Sequence, residues 1–349
     1  MAQRVLLHLG TMKSGTSFVQ NVLGENKERL AAQDVLFPGE RWRQQVRAVR
    51  ELIGHGGPGQ PAMPTDGPWQ QLVDEVRAWP GTAVVSMEFL GPRTAEQIRR
   101  IRSAFEPARV EAVMTCRDLG RNVPAMWLES VQNGGTTGWE DYLAALAAPE
   151  RSAPAAKAFW RHQDVPAIAA RWAKGLGSDA LTLVTVPAPG APADELWRRF
   201  TEVLGLVPTA VELDVRSNPG VDLPSALVLL HLNRRFRPDG TGALPPYYDK
   251  LVKHQLSKRG LSLTPSRGKL GFDAEWARRA GAEQVRALRG AGYRVVGDLD
   301  DLLPVPVRGD QPGDVSAEQV LDTAVEALEL VLSRWHGGKA KGRRPETLS

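Results

Sequence analysis

Arg4-Val5-Leu6-Leu7-His8-Leu9-Gly10-Thr11-Met12-Lys13-Ser14-Gly15-Thr16-Ser17-Phe18-Val19-Gln20-Asn21-Val22-Leu23-Gly24 is the stretch that decides the fold. Residues 4–9 form a short apolar run that stops at a glycine, the pattern of a buried strand. Phe18, Val19, Val22 and Leu23 then recur at helical spacing, which predicts a helix over 16–23 closed by Gly24. The glycines and hydroxyls between them make a strand–loop–helix unit suited to an anion. Glycine lets the backbone curl so that its amides point inward. The helix start adds free N–H groups and a positive dipole end. Lys13 contributes a cation, and Ser14, Thr16 and Ser17 contribute hydroxyls. The nucleoside-triphosphate form of such a loop carries Lys directly after its second glycine. Here Thr16 follows Gly15, and Lys13 lies inside the loop.

Outward from this unit, short apolar runs alternate with helical patterns. Further strands are expected at 82–85, 110–115, 181–186 and 294–296. Helices are expected at 69–79, 123–132, 168–176, 194–204, 223–236, 274–289 and 315–335. Such alternation predicts an α/β fold, a P-loop-like three-layer αβα sandwich around a central, mostly parallel sheet. Residues 54–68 are rich in Gly and Pro and read as a loop. With no repeat and no clear linker, residues 1–335 are expected to be one domain and 336–349 a disordered basic tail.

Composition bounds the rest. Of the 349 residues, 42% are hydrophobic and 24% charged, enough for a large core and against wholesale disorder. One cysteine, Cys116, excludes an internal disulfide and a Cys-rich zinc site. No run approaches the ~20 apolar residues that span a bilayer, and the first residues lack a signal-peptide pattern. The expectation is a cytoplasmic protein without membrane or nucleic-acid partners, its state of oligomerisation open. The net charge of +4 is concentrated at the end: Lys339, Lys341, Arg343 and Arg344 against Glu346 leave +1 for the other 335 residues. Anion binding therefore rests on a few placed groups, not on bulk charge.

Lys13-Ser14-Gly15-Thr16-Ser17 at the first strand-to-helix turn resembles the 5′-phosphosulfate loop of sulfotransferases that use 3′-phosphoadenosine 5′-phosphosulfate (PAPS). His8-Leu9-Gly10 before it resembles bacterial members. Val113-Met114-Thr115-Cys116-Arg117-Asp118 resembles the family's strand end, whose Arg grips the 3′-phosphate; a guanidinium fork suits that anion. Residues 117–127 and 295–302 are similar to an actinobacterial group within the family. The family commonly places Ser eight residues after that Arg, where this chain has Ala125, so Arg121 or Ser130 is the candidate substitute.

The resemblance implies PAPS as co-substrate, no metal, and transfer to a hydroxyl, or secondarily an amine, of a small molecule or glycan. It assigns Lys13, Ser14, Gly15, Thr16, Ser17, Arg117 and Arg121 to the nucleotide. Lys13 would also neutralise the leaving oxygen, and Glu88, after the strand at 82–85, resembles the base of the Glu-using members. His8 is the rival base, although a buried strand histidine is more often a satisfied core residue; His55 and His162 are further candidates. Arg267 and Lys269 invite comparison with a late basic segment but fit its spacing poorly, and Trp127 lies close in sequence to Arg117. The acceptor wall is expected in loops at 42–71, 132–160 and 237–267. Two other readings stay open: a phosphoryl-transfer enzyme of kinase or NTPase type, and a non-catalytic nucleotide-binding protein.

Overall fold

The computed structural model describes residues 2–57, 59–214, 220–263 and 266–340, with side chains up to residue 333. The chain divides into two compact units: residues 1–122, 158–217 and 275–305, and residues 123–157, 218–274 and 306–349.

The first unit is built on six strands: β1 (Arg4–His8), β2 (Val35–Leu36), β3 (Thr82–Ser86), β4 (Arg109–Cys116), β5 (Leu181–Thr185) and β6 (Arg294–Val296). They form one sheet in the order β2-β3-β1-β4-β5-β6, and every pair is parallel. Strands of such a sheet are covered on both faces, which is why they read as unbroken apolar runs. Side chains alternate between two cores. Val5, Leu7, Ala83, Val85, Ala112 and Leu183 face one, and Leu6, Val84, Val113, Val184 and Val296 face the other. Full burial of each such aliphatic side chain contributes about 1.5–3 kcal/mol as an upper estimate. The first core is closed by residues of the helices Pro68–Ala78, Ala95–Ala104 and Val165–Leu176, the second by residues of Thr16–Glu25 and Glu195–Leu204. This is the expected α/β architecture.

The strand order has a consequence for ligands. From β1 the chain moves to the β2–β3 side, and from β3 it crosses to β4 on the opposite flank of β1. The carboxyl ends of β1 and β4 therefore flank the point where the winding reverses, the place where open α/β sheets bind ligands.

The second unit holds the helices Trp139–Ala147, Leu223–Phe236 and Ala317–Ala340, which bury Trp139, Leu229 and Ala327 among other residues. A π-helical segment covers Tyr248–Ser257. The buried amide of Asn233 donates to Val131 O at 2.8 Å and Gly135 O at 2.9 Å, and accepts from the Tyr248 hydroxyl at 2.6 Å. Trp127 is 1% exposed; its Nε1 donates to Thr137 O at 3.0 Å and its ring meets Trp139 edge-on at 5.4 Å. It is a core residue of this unit. No helix among the described residues is long and apolar enough to cross a membrane.

Several expected boundaries move. The helix expected at 123–132 runs Leu119–Gln132. Asp118 starts it earlier by accepting the Arg121 amide at 2.9 Å, so Pro124 falls inside the helix rather than at its start. The first helix passes through Gly24 to Glu25. The expected acceptor loops hold regular structure: Trp42–Gly54 is a helix within 42–71, Trp139–Ala147 and Pro154–Gln163 are helices touching 132–160, and the π-helical segment lies within 237–267, where 264–265 are outside the described residues. The helix Trp42–Gly54 was masked in sequence by its Arg and Gln content; it buries Gln45, Ala48 and Val49, one stripe at helical spacing. The last helix reaches Ala340, so 336–340 are helical where a disordered tail was expected, while 341–349 lie outside the described residues.

The helices Ala95–Ala104 and Val165–Leu176 approach closely at Gly175, where an added Cβ would lie 2.4 Å from Ile98 Cγ2 and 2.7 Å from Ile98 Cβ. Gly175→Ala gains about 1 kcal/mol of helix propensity and loses more to overpacking. A net destabilisation of about 1–2 kcal/mol is expected, read by urea denaturation at unchanged m-value.

Candidate active site

The loop after β1 is fixed to its neighbours by backbone bonds. Leu9 N donates to Val113 O and Thr11 N to Thr115 O, both at 2.8 Å, and Met87 N donates to His8 O at 3.0 Å. The loop then turns back on itself, with Ser14 N on Thr11 O at 3.2 Å. Lys13 takes φ +65° and Gly15 φ +79°. A left-handed lysine costs about 1–2 kcal/mol, strain of the kind found where a turn is shaped around a ligand. The left-handed backbone of Gly15 favours glycine, and an added Cβ would sit 2.4 Å from Leu196 Cδ2, which would have to shift. It starts the helix Thr16–Glu25 without a side-chain cap, so the first-turn amides have no acceptor from within the helix.

Beneath the loop runs a buried polar chain. His8 Nδ1 lies 2.8 Å from Ser86 Oγ and Nε2 lies 3.2 Å from Thr115 Oγ1. Ser14 Oγ lies 2.8 Å from the same Thr115 hydroxyl and donates to Thr11 O at 2.6 Å. His8, Ser14, Ser86 and Thr115 are all fully buried. Burial pushes the His8 imidazole down to about 3. A neutral ring with both nitrogens engaged in the interior holds strands together, and it is poorly placed to take a proton from an external substrate. The Ser14 hydroxyl is likewise turned into the protein, leaving Ser17 exposed at the helix start.

Glu88 begins the short 3-10 turn Glu88–Leu90 directly after β3. Thr16 Oγ1 donates to its Oε1, and Gln20 Nε2 donates to its Oε2 at 3.3 Å and to Ser86 O at 3.4 Å. The carboxylate is half-buried and oriented at both oxygens by the helix that follows the loop. Its bond to Thr16 brings the end of β3 to the helix that follows the loop, which the separation of the two residues in sequence does not reveal.

Arg117 follows β4, and its Nη1 donates to Lys13 O at 3.2 Å. Burial, with the Arg121 charge, pushes this guanidinium down to about 10, partly offset by Asp118. It remains charged at neutral pH, and the neighbouring Asp118 carboxylate is engaged by Arg121, which leaves the Arg117 fork to suit an anion. Arg121 is differently placed. It pairs with Asp118 through Nε and donates to Pro187 O at 2.9 Å and Val186 O at 3.4 Å, so its fork braces the segment after β5. The next residue carries a signal absent from the sequence reading: Asn122 Nδ2 donates to Gln163 Oε1 at 2.7 Å, and Gln163 Nε2 donates to Met12 O at 2.8 Å. Two buried amides thus tie the loop tip to the start of the helix after Arg117. Thr11 Oγ1 and Asn122 Oδ1 are buried polar atoms without a hydrogen-bond partner.

The remaining candidates have their own surroundings. His55 Nδ1 meets Glu51 O at 2.9 Å at the end of its helix. Ala125 is half-buried and offers no hydroxyl, and Ser130 is exposed. Arg267 pairs with Glu326, and Lys269 O accepts from Asp310 N at 2.7 Å. The Cys116 thiol is buried and pushed up to about 12, an inert core group. His162 is half-buried; burial and then Arg161 and Arg93 push it down to about 4.

Comparison with known proteins adds one distant likeness. A crystal structure of a sulfotransferase from Alicyclobacillus acidocaldarius is similar at 16% identity, over 66% of this chain and 92% of that one, with a TM-score of 0.42. No family model and no curated protein matches.

The buried His8 makes a pH dependence. Its folded value near 3 lies below the ordinary 6.5, so below pH 6.5 the unfolded chain binds a proton that the folded chain does not. Its stabilisation is present above pH 6.5 and declines as pH falls from there toward 3. From pH 6.5 to 5.5 the wild-type protein should lose roughly 1 kcal/mol more than His8→Gln, measured by denaturant unfolding at each pH.

Proposed function

We propose that the chain transfers a sulfuryl group from PAPS to a hydroxyl, or secondarily an amine, of a small molecule or glycan. The observation that carries this reading is the meeting of three groups at the reversal of the sheet: the Lys13 loop after β1, Glu88 after β3, bonded to Thr16, and Arg117 after β4, bonded to Lys13 O. A carboxylate beside an anion-binding loop has little use in simple phosphate binding, where it would repel the ligand. It has a use where an acceptor must lose a proton.

The residues present fit such a nucleotide. The uncapped helix start, the side-chain-free surface at Gly15 and the cation of Lys13 suit a 5′-phosphate. The half-buried, charged guanidinium of Arg117 suits a second phosphate. Bound there, PAPS supplies a sulfuryl group on a phosphate leaving oxygen. Lys13 would neutralise the negative charge that develops on that oxygen as its bond to sulfur breaks. Glu88 would accept the proton of the acceptor hydroxyl as the new oxygen–sulfur bond forms, with Thr16 and Gln20 fixing its carboxylate meanwhile. His8 stays out of the proton transfer and carries the floor of the loop. Arg121 acts as a brace, and the Ser14 hydroxyl shapes the loop from within. Ala125 leaves the 3′-phosphate mainly to Arg117.

Three results are expected. Lys13→Ala and Glu88→Gln each reduce sulfuryl transfer from radiolabelled PAPS by about a hundredfold or more. Adenosine 3′,5′-bisphosphate raises the melting temperature; no shift at millimolar concentration sinks the proposal. Arg117→Ala weakens that nucleotide about ten- to a hundredfold by calorimetry, whereas Glu88→Gln leaves its affinity within a few-fold.

A further inference from the structure

Arg93, Arg161 and Arg171 belong to the first unit, with His162 next to Arg161 in sequence, and none has a role in the chemistry above. Arg93 is 7% exposed, and its Nε is buried without a hydrogen-bond partner. The Nε of half-buried Arg171 is a second buried donor without one. Among the described residues, no ion pair joins any of these three arginines to a carboxylate. A buried guanidinium is normally paired, so this one points to a ligand that is not protein.

The fold places these groups together beside the loop. Arg93 ends the segment that begins at Glu88. Within that segment Gly91 O accepts from Trp172 Nε1 at 3.0 Å, which fixes it to the helix carrying Arg171. An added Cβ at Gly91 would lie 3.9 Å from Gly10 O, so the segment passes alongside the phosphate loop. Arg161 and His162 immediately precede Gln163, whose amide holds Met12 O of that loop. The mutual effects agree with this placement. Burial first, and then Arg161 and Arg171, push Arg93 down; burial first, and then Arg161 and Arg93, push His162 down. Burial pushes Arg171 down, partly offset by Asp164, whose Oδ1 also caps the helix Val165–Leu176 by accepting from Ala167 N at 3.1 Å. Both oxygens of Glu88 are held by Thr16 and Gln20.

We propose that Arg93, Arg161 and Arg171 form an oxyanion subsite beside the phosphate loop, which takes a sulfate, phosphate or carboxylate group carried by the acceptor. That the anion belongs to the acceptor rests on the sulfuryl-transfer reading; that the cluster binds an oxyanion does not. The consequence is an acidic acceptor, for instance an already sulfated or uronate-bearing saccharide, anchored by its charge while a neutral hydroxyl faces Glu88.

The test is calorimetric titration of the full chain with inorganic sulfate, and separately with acetate, after saturation with adenosine 3′,5′-bisphosphate. One saturable oxyanion per chain is expected, weakened about tenfold or more by Arg93→Gln and by Arg161→Gln; a stronger response to one anion tells carboxylate from sulfate or phosphate ester. Arg161 is exposed, so its replacement keeps the fold and the test valid if Arg93→Gln is unstable. Absence of saturable binding, or binding indifferent to both substitutions, overturns the proposal. So does loss of the site on nucleotide saturation, because the cluster would then hold the nucleotide itself. If the bisphosphate fails to bind while sulfate binding remains sensitive to Arg93→Gln, the transfer reading falls and the oxyanion site stands.

Discussion

The hydroxyl of Thr115 is the point on which the site depends. It lies on β4, accepts or donates to both His8 of β1 and Ser14 of the loop, and is sealed from water. His8 passes the chain on to Ser86 of β3. Three neighbouring strands and the loop are thereby held in one register by groups that have no solvent alternative. An unpaired buried polar group costs about 1–3 kcal/mol, so the arrangement is fixed by what each member would lose by moving. Glu88 and Arg117 occupy their places because they follow these same strand ends.

The distribution of charge follows from the same geometry. Bulk charge outside the chain's final segment is close to neutral, yet cations gather where the strands end. Lys13 and Arg117 stand at the loop, and Arg93, Arg161 and Arg171 stand alongside. Where such groups are partly buried, water screens them little, and for Arg93, Arg161 and Arg171 no ion pair to a carboxylate is found among the described residues, which leaves their field to an incoming anion. Arg121 shows the contrast: the same residue type, fully engaged by Asp118 and two carbonyls, is structural.

Much of the architecture was legible because parallel, doubly covered strands must be apolar throughout. The runs at β1, β3, β4, β5 and β6 announce themselves, and β6 and the helix Leu223–Phe236 lie where the pattern puts them. Elements whose burial depends on one narrow stripe were harder. β2 is two residues long, and Trp42–Gly54 hides its buried stripe among arginines and glutamines. The start of the helix at Leu119 was obscured by Pro124, whose usual place is a first turn, while the determining residue was the capping Asp118.

Of the candidate site, the sequence by itself determined the loop, its lysine, and the residue types that end β3 and β4, because local backbone demands leave a local record. Only the tertiary structure decided what those residues touch. It turned Ser14 inward, made His8 a neutral strut, joined Thr16 to Glu88, assigned Arg121 to Asp118, and tied Met12 to Asn122 through Gln163. These partners lie from three to more than a hundred residues apart, and a hydrogen bond depends on where two atoms meet in space. No periodicity or spacing along the chain encodes that meeting; the packing of the sheet and its helices does.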